Sequence, residues 1–244
     1  MVSLKKITDI LINLLFPPHC QFCSEVISWI PEKKFELCDE CLKKVSFIGM
    51  DSCALCGKKL YDEKCQSCET NHEQRYYTSV ISACEYEGLI REKLLDFKFN
   101  GEKILAEIFS QFLIEKLKMT EKNKYDIIIS VPMHIVRQKE RGYNQSELIA
   151  EKIAEHIGIP LMQNALTKNK PIERQSKLNK QQRNQNVKDV FVILNDLDID
   201  GKTVLLIDDI ITTGATVNEC SKALIKAGAK EVFVATVAAG RLRI

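Results

Sequence analysis

Val204-Leu-Leu-Ile-Asp-Asp-Ile-Ile-Thr-Thr-Gly-Ala-Thr216 decides how the chain is read. Val204 to Ile207 are apolar at every position, as expected of a strand buried on both faces of a parallel sheet. Beyond Thr216, Val217, Cys220, Leu224 and Ala227 recur at helical spacing, and Gly228 ends the pattern. The prediction is a strand, a loop over Ile211 to Ala215, and a helix.

Such a loop brings backbone N–H donors to a helix N-terminus, where the helix dipole also favours negative charge. Thr212, Thr213 and Thr216 add hydroxyls, so the loop suits a phosphate. Asp208 and Asp209 stand at the carboxyl end of the strand, the ligand edge of open α/β sheets. Two carboxylates beside a phosphate repel it unless they bind something else, and ribose hydroxyls or Mg2+ fill that role. A phosphosugar satisfies loop and carboxylates together. The bland alternative is an ordinary threonine-capped strand-to-helix connection. Gly201-Lys202-Thr203 is no P-loop: the required first glycine falls on Asp196, and the triplet precedes a strand.

A chain of 244 residues accommodates one sizeable α/β domain and a small module. The formal net charge of +2 with 28% charged residues argues against a protein that coats nucleic acid. Met1 to Phe16 places Ile7, Ile10, Leu11, Leu14 and Leu15 on one helical face, interrupted by Asp9 and Asn13. It reads as a docking helix, too short to span a bilayer and without a small-residue cleavage site.

Eight of the ten cysteines form four C-x-x-C knuckles. Cys20, Cys23, Cys38 and Cys41 make one set, and Cys53, Cys56, Cys65 and Cys68 another. Two knuckles close a tetrahedral Zn2+ site with no open position, so two structural zinc ions are expected. The alternative pairing interleaves the first knuckle with the third and the second with the fourth. Thioredoxin-type chemistry lacks its βαβ context here. Thiolates held for metal imply a reducing compartment, and the expectation is a cytoplasmic protein. Because the module has few large apolar residues, metal is expected to supply much of its folding free energy, on the order of 10 kcal/mol per site.

From Arg75 the composition changes, placing a boundary near residue 74: a zinc module over 1–74 and an α/β domain over 75–244. Tyr76 to Tyr86 reads as a strand. Ile90, Leu94, Ile104, Leu105, Ile108, Phe109, Phe112 and Leu117 follow at helical spacing, with a basic turn at Lys98 to Gly101. Tyr125 to Val131 is a second buried strand. The segment Arg137 to Gln145 reads as a donor-rich loop, with Asn144 as N-cap of a helix that ends at Gly158. Arg137 and Arg141 suit phosphate oxygens, although a solvated face would also carry them. Leu161 to Leu166, Val190 to Leu194 and Glu231 to Ala239 are further strand candidates. Thr167 to Asp189 is basic and nearly without core residues: a mobile surface loop, a lid over a charged substrate, or a nucleic-acid track lacking stacking aromatics. Strands alternating with helices give a mostly parallel sheet covered on both faces.

The run Val204 to Thr216 resembles the 5-phosphoribosyl 1-diphosphate (PRPP) motif of type I phosphoribosyltransferases. Over nearly its full length the chain resembles the ComF family of competence proteins. The resemblance rests on Phe16-Pro17-Pro18-His19-Cys20-Gln21-Phe22-Cys23, on Tyr86, Gly88, Lys98, Phe99 and Gly101, on Val131 to Gln145, and on Gln175, Leu178, Arg183 and Asn186. Ile172 departs from the threonine common in the family. The resemblance implies a type I phosphoribosyltransferase fold behind a double zinc ribbon. It makes Asp208 and Asp209 the catalytic-site carboxylates, binding the ribose hydroxyls, and assigns the 5-phosphate to Thr212, Thr213, Gly214, Ala215 and Thr216. Arg137, Arg141, Gly142, Tyr143, Asn144 and Gln145 would bind diphosphate and its Mg2+, with Lys98 and Arg183 as additions. It also implies a role in DNA uptake and natural transformation, as a phosphoribosyltransferase of unknown acceptor. A non-catalytic PRPP-binding factor, or one handling single-stranded DNA with DNA-uptake proteins as partners, is the alternative.

Overall fold

The computed structural model describes residues 16–27, 34–61, 64, 65, 68, 74–120, 125–168, 191–193 and 198–240. The expected docking helix before Phe16 and nearly all of the basic 167–189 segment, Arg183 included, lie outside these residues. Among the described residues no helix is long and apolar enough to cross a membrane.

Four strands form one parallel sheet: β1 (Ser79–Glu85), β2 (Ile127–Ser130), β5 (Thr203–Ile211) and β6 (Glu231–Ala239), in the spatial order β1-β6-β5-β2. The connecting helices are α2 (Gly88–Phe99), α3 (Leu105–Lys118), α4 (Ile135–Arg141), α5 (Gln145–Ile157) and α6 (Ala215–Lys226), and α1 (Asp39–Lys43) belongs to the cysteine-rich part. The strand alternation sorts the core. Leu205 and Ile207 pack with Phe109, Leu113 and Ile149 on one face, while Val204 and Leu206 pack with Val217, Cys220 and Leu224 on the other. That two-sided burial is why Val204 to Ile207 carry no polar residue.

Three predicted boundaries move. The central strand continues through both aspartates to Ile211, because Ile210 and Ile211 keep their ladder partners Ala238 and Ala239 in β6. The loop is therefore only Thr212 to Gly214. Arg137 to Arg141 are not loop but the body of α4, capped by His134 Nδ1, which accepts from the Val136 N–H at 3.3 Å, and ended by Gly142 at φ +82°. Leu161 contributes only an isolated parallel bridge to Ile128. The nearby strand is β3 (Leu166–Lys168), which pairs antiparallel with β4 (Phe191–Ile193) as a separate two-stranded sheet. Ile104 and Ala227, expected on apolar helix faces, sit at helix caps and are exposed.

The cysteine-rich part is built onto the α/β sheet. The Ile48 N–H donates to the Ala83 carbonyl and the Glu85 N–H to the Ser46 carbonyl, each at 2.9 Å, and Phe47 bridges Cys84 in antiparallel sense. This covers the outer edge of β1, which would otherwise present open backbone donors and acceptors. Phe22 lies 6.2 Å from Phe109, and Phe35 and Phe47 meet Phe112 edge-on at 4.9 and 5.1 Å. Cys20, Phe22, Phe35, Leu37 and Cys41 thus share one core with α3 and β1. Buried Lys116 seals the seam by donating to the carbonyls of Ile48 (2.9 Å) and Gly49.

Candidate phosphosugar site and zinc centres

The eight knuckle cysteines gather as expected from sequential pairing, Cys20, Cys23, Cys38 and Cys41 in one cluster and Cys53, Cys56, Cys65 and Cys68 in the other. Tetrahedral Zn2+ with bonds of about 2.3 Å to sulfur requires sulfurs about 3.8 Å apart. The Sγ separations are 3.7 Å for Cys23 and Cys38, 3.8 Å for Cys53 and Cys68, and 3.6 Å for Cys56 and Cys65. The Cys41 N–H points at Cys38 Sγ at 3.4 Å and closes the second knuckle. Both clusters fit a closed, structural Zn2+ site.

The second constellation stands at the carboxyl end of β5. Asp208 and Asp209 are successive strand residues and point to opposite faces. Asp209 Oδ2 pairs with Lys98 Nζ of α2 at 2.8 Å. Asp208 Oδ1 accepts from Ser146 Oγ at 2.8 Å and from the Asp209 N–H at 2.9 Å. Burial, reinforced by the neighbouring Asp209 charge, pushes the Asp208 carboxyl up to about 7. The Ser146 hydrogen bond and the Lys98 charge oppose that rise.

A glycine and a threonine shape the loop and the helix start. Gly214 takes φ +81°, the left-handed region in which a side chain is strained, and serves as N-cap of α6. Thr213 Oγ1 accepts from the Ala215 N–H at 3.3 Å, so this hydroxyl shapes the loop itself. Thr212, Ala215 and Thr216 are partly exposed around it.

The α4 side supplies the cations. Arg137 and Arg141, four residues apart, share a helix face. Arg141 Nη1 donates to Gln145 Oε1 at 2.7 Å, and its guanidinium lies 5.1 Å from the centre of the exposed Phe99 ring. Tyr143 Oη and Gln145 Nε2 (3.1 Å) both donate to the Phe97 carbonyl, and Asn144 Nδ2 donates to the Val131 carbonyl at 3.1 Å. These three side chains are buried and occupied internally. Tyr143 and Gln145 hold the end of α2, and with it Lys98 and Phe99, against the start of α5, while Asn144 ties that start to the end of β2.

Two residues of the constellation were not singled out from the sequence. Ser146 carries no local signal, since two positions after an N-cap any small polar residue serves. Lys168 was read only as part of a basic segment. It sits on β3 with its amine 5.4 Å from the Phe191 ring, and burial draws its pKa down to about 8 against the pull of Asp208.

Fold and site together define a type I phosphoribosyltransferase domain behind a double zinc ribbon. A double zinc ribbon domain model matches residues 11–71, and a phosphoribosyl transferase domain model matches residues 104–243, more than half of the chain. Competence protein ComFC of Streptococcus pneumoniae is 32% identical over 197 residues, covering 80% of this chain and 84% of that protein. Competence protein F of Haemophilus influenzae is 29% identical over 205 residues, covering 81% and 88%. Among solved structures, purine phosphoribosyltransferase from Pyrococcus horikoshii aligns over 56% of this chain and 73% of its own, at 27% identity and a TM-score of 0.35. The chain belongs to the ComF family of competence proteins.

Proposed function

We propose that the cleft at the carboxyl end of β5 binds PRPP together with Mg2+. The observation that carries this reading is one continuous segment in which two carboxylates, partnered by Ser146 and Lys98, run directly into a phosphate-sized loop that opens α6. Asp208 and Asp209 take the ribose hydroxyls, and Thr212 to Thr216 take the 5-phosphate through N–H and hydroxyl donors. Arg137 and Arg141 face the diphosphate, while Gln145 holds the Arg141 guanidinium and Tyr143 and Asn144 anchor the turn behind it through the Phe97 and Val131 carbonyls. Lys98 exchanges Asp209 for a ligand anion, so the cleft is charge-compensated with and without ligand.

The chemistry is displacement of diphosphate from ribose C1 through an oxocarbenium-like transition state, which needs no covalent nucleophile from the protein. Bound Mg2+ supplies charge neutralisation of the departing diphosphate. The guanidinium groups add fixed donors where charge develops, and the carboxylates orient the ring. A PRPP-binding role without transfer would use the same site. The names of the relatives, competence proteins and the DNA utilization protein YhgH of Escherichia coli, support a role in DNA uptake. Eight thiolates kept for metal support a cytoplasmic setting. Residues 1–74 and 75–244 are the two functional units in this reading, the described residues of the first packing as a wall of the second.

The test is calorimetric titration of the zinc-loaded chain with PRPP and Mg2+, beside a folded Asp208→Ala/Asp209→Ala variant. Saturable binding lost in the variant supports the assignment, and diphosphate release dependent on an added acceptor establishes transfer. Absence of binding at millimolar PRPP rejects it.

A further inference from the structure

The segment joining the zinc ribbon to β1 runs past the phosphate loop, and both of its neighbours grip it. Tyr77 is buried, at 8% exposure, and its Oη donates to the Leu55 carbonyl at 2.9 Å. Leu55 lies inside the knuckle between Cys53 and Cys56. The same Oη stands where it would be 3.3 Å from a Cβ on Gly214, so the phenol abuts the N-cap of α6. One side chain thus touches a zinc knuckle on one side and the phosphate loop on the other.

Further contacts make this bridge stiff. The Val80 N–H donates to the Ala54 carbonyl at 2.7 Å, and Gly57 sits so close to Val80 and Ser82 that a Cβ there would collide with both. The knuckle is therefore seated on β1 by backbone contact. On the loop side, Asn218 in the first turn of α6 accepts from the Tyr76 N–H at 2.9 Å and donates from Nδ2 to the Gln74 carbonyl at 3.0 Å. Residues 74–77 are clamped between zinc site and helix start.

We infer that Tyr77 is a positioning residue that couples the second zinc centre to the phosphate loop, so that zinc at Cys53, Cys56, Cys65 and Cys68 sets the affinity of the loop for a sugar phosphate. The inference rests on the assignment of that loop to the 5-phosphate. When zinc is lost, the knuckle relaxes, the Leu55 carbonyl leaves Tyr77, and Gly214 loses the surface that fixes its left-handed turn. The loop donors then disperse before the ligand arrives, and the cost of ordering them weakens binding. The first zinc centre, packed on α3 at the far edge of β1, lacks this path.

The experiment uses the full zinc-loaded chain, with ribose 5-phosphate and diphosphate as separate probes in calorimetry and hydrogen exchange as an independent readout. Tyr77→Phe keeps the ring and deletes one hydrogen bond. The expected result is a three- to tenfold weaker affinity for ribose 5-phosphate, about the worth of one ordinary hydrogen bond. Diphosphate affinity and the content of two zinc ions per chain stay unchanged, and amides of residues 212–218 exchange faster. Cys56→Ser, which opens the second centre, should weaken ribose 5-phosphate similarly, with no further loss when combined with Tyr77→Phe. Equal weakening of both probes indicates general loosening and overturns the inference. So does unchanged exchange and affinity in Tyr77→Phe, or an additive double variant. If wild type binds no ribose 5-phosphate, the 5-phosphate assignment and the affinity claim both fall. The exchange data then report only whether the mechanical link exists.

Discussion

Asp208→Asn should separate the cleft's ligand role from its cost to the fold. The substitution keeps an oxygen for the Ser146 hydroxyl and the Asp209 N–H, so local geometry survives. What changes is the charge. Burial and Asp209 raise the Asp208 carboxyl to about 7 from an ordinary value of 3.8. Between those values the folded state holds a proton that the unfolded chain has released, so this group's contribution to stability is full below pH 4. It declines as pH rises and is lost by about pH 7. A shift of about three units is worth on the order of 4 kcal/mol as an upper bound. Denaturant unfolding of zinc-loaded wild type and variant between pH 5.5 and 8.5 measures it. The variant should gain on wild type as pH rises, by 1 kcal/mol or more across the range, while losing PRPP affinity. Parallel stability curves would refute the claim that burial and Asp209 raise the Asp208 carboxyl in the folded state.

Other consequences follow from single contacts. Arg141→Lys removes both the fork on Gln145 and the stack on Phe99, and diphosphate affinity measured by calorimetry should fall about tenfold or more. Lys98→Ala leaves Asp209 buried without its 2.8 Å partner, so the unliganded protein should lose a few kcal/mol in denaturant unfolding. Phe112→Ala empties the seam shared by Phe35 and Phe47 and should cost about 3–5 kcal/mol, with faster hydrogen exchange in the zinc ribbon as well as in α3. Chelation of both zinc ions should expose that same seam. Its readout is ANS binding and a lowered Tm of the α/β domain, and an α/β domain melting unchanged would show that the shared core does not matter.

Much of the α/β frame was legible because burial writes itself into sequence. A strand covered on both faces is predominantly apolar, so Val204 to Ile207 and Glu231 to Ala239, the latter polar only at Glu231 and Thr236, announced themselves. Asn144, Gly158 and Gly228 marked helix ends by backbone chemistry that few other residues satisfy. The knuckle spacings pointed to the zinc ligands because four C-x-x-C pairs close together, without the βαβ context of a redox dithiol, match metal-binding knuckles.

What the sequence by itself determined was local: elements, caps, ligands, and the adjacency of Asp208 and Asp209 to the threonine loop. Only the tertiary structure decided who meets these residues. Ser146 is 62 positions from Asp208, and Lys98 reaches Asp209 across the α2–β5 interface. Strand length was likewise decided across the sheet, because the Ala238 and Ala239 ladder carries β5 past its apolar run. The zinc ribbon appeared in sequence as a module needing metal to fold. The structure merges it with α3 and β1 and sets Tyr77 between a knuckle and Gly214. Local periodicity reports which face of an element is buried, but not against what, since packing partners are selected by shape over distances that no sequence window spans.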